Sequence, residues 1–255
     1  MRDWEQLSRL LDARLPSGEP LALWWRDDDA VTASPQLERL LELAARHACP
    51  LALAVIPATA SQALAPLLTA QPGIWVLQHG YSHTNYAPPD EKRQELWDGR
   101  PLTQMSSELT QGAARLRAVA RDRALPVLVP PWNRLGARIA ARLGALGYRG
   151  LSTFSGPFAA LAPSGVRQVN CHLDPIDWRR RAFAGTAAVL EPLLLALQAR
   201  SAGPLGLLSH HLVHDAGVWE LLDRLLTLTA RHPAVRWLPA PLVFGLEPST
   251  CARSA

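Results

Sequence analysis

What most restricts the fold of this chain is a repeated pairing of a short, nearly continuous apolar run with a helical pattern. The runs cover residues 21–25, 50–56, 74–77, 127–129, 150–153, 166–169, 205–208 and 235–238. None alternates cleanly between apolar and polar, the mark of strands covered on both faces and paired in parallel. Helical periodicity fills the gaps at about residues 1–15, 61–68, 105–123, 136–146, 186–199 and 218–231. Another helix opens at Ser34-Pro35, an N-cap followed by a proline at the first helical position, with Leu37, Leu40, Leu41 and Ala44 as its inner stripe. Seven or eight such units in one chain of 255 residues suit a closed α/β barrel. A doubly wound open sheet is the alternative, though no GxGxxG turn follows the first strand to support it. The expectation is one domain over residues 1–255, with the helical segment 1–18 and the tail 246–255 peripheral.

Composition narrows the function classes. Hydrophobic residues at 48% and charged residues at 19% describe an ordinary globular chain. The net charge of +4 is carried almost entirely by scattered arginines, with Lys92 the lone lysine. No basic block forms, so nucleic acid is not an expected partner. No apolar run reaches the roughly 18 residues of a membrane span. The N-terminus has no charged leader with an apolar core, and Cys49, Cys171 and Cys251 are odd in number and far apart. A cytoplasmic location is the expectation.

The polar clusters fall where the strands end. Asp27-Asp28-Asp29 follows the first, His79 and His83 the third, and Trp132-Asn133 the fourth. Asp174-Pro175-Ile176-Asp177-Trp178 and His210-His211 follow later ones. In a parallel barrel those ends share one face, the face that carries active sites. His79 and His83 are four apart; a helical turn after the strand would bring them to one side, where two imidazoles can share a metal ion. The acidic triplet offers a third ligand.

Taken in order, these residues resemble the polysaccharide deacetylases of the nodulation-protein-B homology type, a carbohydrate esterase family. Trp25-Arg26-Asp27-Asp28-Asp29 stands where that family has Thr-Phe-Asp-Asp-Gly, and His79-Gly80-Tyr81-Ser82-His83 where it has His-Ser/Thr-x-x-His. Asp174-Pro175-Ile176-Asp177-Trp178 matches Asp-x-x-Asp-Trp, and Leu208-Ser209-His210 matches Leu-x-His. The resemblance spans roughly residues 20–215. It implies a distorted (β/α) barrel with about seven parallel strands and a divalent metal ion, usually Zn2+. Two departures stand out: Val129-Pro130-Pro131-Trp132-Asn133 lacks the arginine of the third family motif, and Asp29 replaces a glycine. Asn133 and Arg134 are candidates to replace that arginine.

The chemistry follows from donor types. Catalytic zinc takes three protein ligands and keeps one open position, and Asp28, His79 and His83 supply such a set. A carboxylate that does not ligate can take a proton from water; Asp27 is the candidate by adjacency and by the family pattern. His210 is the expected general acid, although alternation alone does not decide between it and His211. Asp174, Asp177, Asn133 and His211 are expected at the substrate, Asp174 through a hydrogen bond that orients another group. Trp132 and Trp178 either pack the barrel rim or wall a sugar ring. The expected activity is metal-dependent hydrolysis of a carbon–nitrogen amide bond in an N-acylated amino sugar or a small amide. The rival readings are a mononuclear iron enzyme, since two His and a carboxylate also form its facial triad, and an inactive barrel that only binds saccharide or a protein partner.

Overall fold

A computed structural model of the chain describes residues 2–154, 165–200 and 203–246. The expected tail and Cys251 fall largely or wholly outside these residues. Ten strands and eight α-helices run in the order α1 (Arg2–Arg14), β1 (Leu21–Ala30), α2 (Pro35–Arg46), β2 (Leu51–Val55), α3 (Leu64–Ala70), β3 (Ile74–His79), α4 (Leu102–Ala120), β4 (Ala124–Val129), α5 (Ala137–Ala140), β5 (Gly150–Leu151), β6 (Arg167–Gln168), β7 (Ile176–Asp177), β8 (Ala182–Phe183), α6 (Thr186–Gln198), β9 (Leu205–Ser209), α7 (Ala216–Thr229), β10 (Val235–Trp237) and α8 (Ala240–Phe244). Among the described residues no helix is long and apolar enough to cross a membrane.

The main sheet has eight strands, all paired in parallel. Neighbours follow chain order from β1 to β6, and β9 returns to pair with β1 at Leu23–Asp27. Beyond β6 the chain bridges Leu173 to Leu207, with Leu208 N donating to Leu173 O at 2.7 Å. That seam curls seven of the eight strands into a ring, and β10 adds to β1 through Leu21–Leu23 outside it. A distorted (β/α) barrel is the result, as the sequence pattern implies.

Side-chain alternation sorts the residues into layers. Trp24, Ala52, Ala54, Leu77, Val127, Val129, Cys171 and Leu208 fill the interior, where Phe244 of α8 meets Trp24 edge-on at 5.6 Å. Leu23, Trp25, Leu51, Leu53, Val55 and Val76 face outward and are covered by α1, α2, α6 and α7. Each helix stripe has its local cause. Ser34 accepts a hydrogen bond from Leu37 N at 3.1 Å and starts α2, and Asp215 caps α7 through Val218 N at 3.0 Å. Trp4, Leu7 and Leu11 of α1 are buried in the same outer layer, against α6.

Several elements differ from the sequence reading. β1 runs five residues past Trp25, so the acidic triplet lies within the strand. The helix expected at 136–146 is only Ala137–Ala140, and turns follow it. An antiparallel hairpin, β7–β8, stands where no strand is expected.

Gly206 sits on the ring-closing seam. A Cβ there would lie 2.6–2.7 Å from Trp24 Nε1, Asn170 O and Cys171 Cα, two of them backbone atoms with little room to yield. Gly206→Ala should therefore cost about 1–3 kcal/mol in urea unfolding, the usual penalty of overpacking. Gly203→Ala, with nothing within 4 Å of the added carbon, should change stability by less than about 0.5 kcal/mol. Equal stability for the two variants would mean that the seam opens at no cost.

Candidate active site

β1 carries charge on both of its faces at the barrel mouth. Trp24 points inward and Trp25 outward, so Arg26 and Asp28 enter the barrel while Asp27 faces the helices. Asp27 is fully buried there. Its Oδ2 accepts from Ser209 Oγ (2.6 Å) and His211 N (3.0 Å), and its Oδ1 pairs with His211 Nδ1. Burial pushes the Asp27 carboxyl up, but the imidazole beside it prevails and holds it below its usual value; the same contact raises His211 against its own burial. Neither residue lines the cleft. Asp27, expected as general base, and His211, expected as a substrate contact, therefore do not face the cleft. Strand alternation, with Trp24 turned inward, removes both from the site.

Asp28 instead stands in the mouth as the partner of Arg26. The guanidinium, wholly buried, donates from Nε to Asp28 Oδ1 (2.8 Å) and from Nη2 to Asp28 Oδ2 (3.0 Å). Its remaining donors reach Ser152 Oγ (2.6 Å) and Asn133 Oδ1 (2.9 Å). Asn133 does not replace the missing arginine of the third motif; it accepts from an arginine that β1 itself supplies.

The carboxylate within reach of both histidines belongs to Asp29. A register shift between Asp27 and Ala30, with Asp29 at φ 69°, breaks the alternation and turns this third acid toward the mouth as well. Asp29 Oδ1 lies 3.1 Å from His79 Nε2 and 3.3 Å from His83 Nε2. These three atoms form a cluster compact enough to hold one metal ion. Asp29, not the expected Asp28, is the carboxylate grouped with the two histidines, and Asp28 lies instead in the fork of Arg26. His79 is oriented by Val129 O, 3.0 Å from Nδ1, which leaves Nε2 free to ligate. Burial opposes ionisation of Asp29, but the His79 imidazole at 3.1 Å and the other imidazoles nearby hold its carboxyl far below the usual range.

No helix turns His83 back toward His79. After β3 the chain passes through Gly80 (φ 54°) and His83 (φ 56°), and the imidazole centroids come to 5.1 Å. Buried Glu95, from the long loop before α4, organises this turn. It accepts from Tyr81 N (3.1 Å), Ser82 N (2.7 Å) and His83 N (3.2 Å). A side chain at Gly80 would strike Glu95 Oε2 at 2.2 Å, which explains the glycine between the histidines.

The opposite wall carries His210, whose Nε2 is 4.0 Å from Asp28 Oδ2 and whose buried Nδ1 has no partner. Its backbone N–H donates to His214 Nε2 at 3.1 Å, and burial keeps His214 neutral by lowering it to about 4. Trp178 meets His210 edge-on at 4.5 Å, and Trp132 lies 4.3 Å from the His83 ring. The two tryptophans thus pack against catalytic candidates and line the cleft at once. Asp174 accepts from Trp178 Nε1 (2.8 Å) and Ile176 N (2.9 Å), so it positions the tryptophan. Asp177 is not in the cleft: it accepts from Arg179 N (3.0 Å) and Arg180 N (3.3 Å) in the hairpin turn.

The cleft over these groups has a volume of about 560 Å³ and includes Asp28, Asp29, His79, His83, Trp132 and Trp178 in its lining. A larger open hollow, about 760 Å³, lies at the other end of the strands beside Trp75, Arg149 and Phe244. It holds no histidine and faces away from the strand ends where barrel chemistry gathers. Sequence reasoning missed Arg26, Asp29 and Glu95 as parts of the site. Arg26 and Asp28 are two apart on a strand and so share a face, a readable signal; Glu95 gives none, since only the tertiary path brings its loop to Tyr81.

No family model matches the chain, and no curated protein matches it in sequence. Solved structures do. A Mycobacterium smegmatis chain assigned as a polysaccharide deacetylase is 18% identical with a TM-score of 0.67, over 94% of this chain and 96% of its own. A family 4 carbohydrate esterase from Streptomyces lividans, solved with acetate, is 17% identical with a TM-score of 0.53, over 82% and 87%. A family 4 pseudoenzyme from Bacillus anthracis is 14% identical with a TM-score of 0.51, over 82% of this chain and 60% of its own. The likeness is one of fold, and it agrees with the family that the motifs resemble. That fold carries both an acetate-bound esterase and a pseudoenzyme, so activity has to be argued from the residues in the cleft.

The buried Asp27–His211 pair predicts a pH-dependent stability. Asp27→Ala leaves Ser209 Oγ and His211 N without an acceptor and should cost about 3 kcal/mol near pH 6. Asp27 has a lowered folded pKa, so its contribution is present above about pH 4 and is lost as pH falls through that lowered value. His211 has a raised one, so its contribution is full below about pH 6.5 and is lost as pH climbs through the raised value. The gap between wild type and variant should be widest between those limits and narrow on either side. Denaturant titrations across pH would show it; a gap independent of pH would disprove the ion pair.

Proposed function

We propose that this protein is a metal-dependent amide hydrolase that removes an acetyl or similar acyl group from an N-acylated amino sugar. The observation that carries the reading is Asp29 Oδ1, a buried oxygen without a hydrogen-bond donor, set against two histidine Nε2 atoms. An uncompensated buried carboxylate oxygen is costly, and a cation between it and the imidazoles would satisfy it. Two imidazoles and a carboxylate suit zinc, with an open position for water or substrate. The same donors suit iron, and metal analysis separates the two. A bound divalent cation supplies Lewis acidity and lowers the pKa of water.

The remaining steps belong to the chain. Asp28, held by the Arg26 fork, accepts the proton of the attacking water. The oxygen adds to the acyl carbon and the carbon–nitrogen bond breaks. His210, across the cleft, donates a proton to the departing amine. Trp178, fixed by Asp174, leans on His210 and with Trp132 offers aromatic faces to a sugar ring. These roles shift the first motif by one residue. Arg26-Asp27-Asp28-Asp29-Ala30 then takes the place of Thr-Phe-Asp-Asp-Gly, and the small residue at its end is Ala30.

The test pairs metal content with catalysis. Wild type should carry about one divalent ion per chain, and Asp29→Asn, His79→Ala and His83→Ala should lose it. Asp28→Asn should keep the metal, itself a sign of an intact site, while kcat for acetate or formate release from N-acylated amino sugars falls roughly 10²–10⁴-fold. Loss of metal from Asp28→Asn with retention by Asp29→Asn would reverse the roles. No acid released by fully loaded wild type would count for a binding barrel.

A further inference from the structure

Three arginines from separate segments line the cleft: Arg93 before α4, Arg134 after β4 and Arg181 in the β7–β8 hairpin. Among the described residues none of the three has a carboxylate within 4.0 Å, and of all the arginines there only Arg26, Arg46 and Arg100 do. Several acids of the cleft and of the neighbouring turns are engaged elsewhere. Asp28 is held by Arg26, Asp29 faces the imidazoles, Asp177 caps the hairpin turn, and Glu91 accepts from Trp97 Nε1 at 2.9 Å. Outside the described residues the chain contains a single acidic side chain, Glu247. Arg134 Nη1 donates to the carbonyl of Arg93 at 2.9 Å, so one guanidinium is held against the backbone of another arginine. With Asp28 offset by Arg26, the three rim guanidiniums outnumber Asp29, the remaining carboxylate of the lining, and a rim with that balance favours an anionic occupant. A neutral sugar uses aromatic faces and neutral hydrogen bonds; guanidinium forks match carboxylate and phosphate.

Resting on the hydrolase reading above, we infer that the N-acylated sugar taken by this cleft carries an anionic substituent, a carboxylate or a phosphate, received by Arg93, Arg134 and Arg181. The acyl amide then lies at Asp29, His79 and His83, and the anion lies toward the arginine rim. Discrimination comes from the rim, and the hydrolytic groups stay the same for charged and neutral sugars.

Steady-state hydrolysis by the metal-loaded protein tests this with N-acetylglucosamine, its 1-phosphate, its 6-phosphate and its 3-O-lactyl ether. At least one anionic probe should exceed the neutral sugar in kcat/KM by about tenfold to a hundredfold, the worth of one or two charge-assisted hydrogen bonds. The preferred probe distinguishes phosphate from carboxylate. The advantage should shrink as salt is raised, because the rim is partly exposed. Arg93→Gln, Arg134→Gln and Arg181→Gln should each move the anionic-to-neutral ratio toward one. Equal kcat/KM for charged and neutral sugars, with ratios unchanged in the variants, would overturn the inference and leave the hydrolase reading standing. Should no probe release acetate, the hydrolase reading fails, and calorimetric binding of the same probes decides the anion preference alone: tighter binding of an anionic sugar, lost in the variants, supports it, and equal or absent binding refutes it.

Discussion

A guanidinium buried inside a barrel is the constraint on which the mouth of this protein depends. Arg26 is wholly out of water, and an unpaired charge there would cost several kcal/mol. It is tolerated because Asp28 meets it fork to fork and Ser152 and Asn133 take further donors. Those partners come from β1, the end of β5 and the turn after β4, so satisfying one side chain draws three segments to a common point. Asp28 is held with a defined position as a consequence. The turn that brings Asn133 inward also carries Trp132, with both residues in the left-handed region.

The second constraint is the departure from strand geometry at Asp29. A regular strand would send Asp27 and Asp29 to the helix side together and leave Asp28 alone inside. The register shift lets β1 place Asp28 and Asp29 toward one cleft and Asp27 toward the helices. The three adjacent acids therefore meet three environments: an imidazole with a hydroxyl, a guanidinium, and a pair of imidazoles. The histidine loop has a matching irregularity. Glu95 gathers the amides of residues 81–83, and Gly80 leaves it room.

Position in the barrel divides the charges by role. On the helix side, Asp27, Ser209 and His211 tie β1 to β9, and His214 pins the backbone of His210. On the mouth side, Asp28, Asp29, His79, His83 and His210 face one cleft. The first group fixes where the strand ends stand, and the second is what the ends present. His210 belongs to both, because its backbone is held by the structural group while its imidazole enters the cleft.

The sequence by itself determined the barrel, since short doubly covered strands alternating with helices leave few other ways to bury both faces of a parallel sheet. It also placed His79, His83 and Trp178 at or after strand ends, and the structure gathers them around one cleft. It did not determine which of Asp27, Asp28 and Asp29 faces the cleft. Residues 21–25 are apolar on both faces, so their pattern carries no phase, and only the packing of Trp24 inside and Trp25 outside sets it. The same phase chose between His210 and His211. The kink at Asp29, the approach of Glu95 to the histidine turn and the gathering of Arg93, Arg134 and Arg181 lay beyond sequence reading as well. Each depends on segments distant in the chain whose meeting is decided by where loops cross the barrel mouth, and local periodicity holds no record of such crossings.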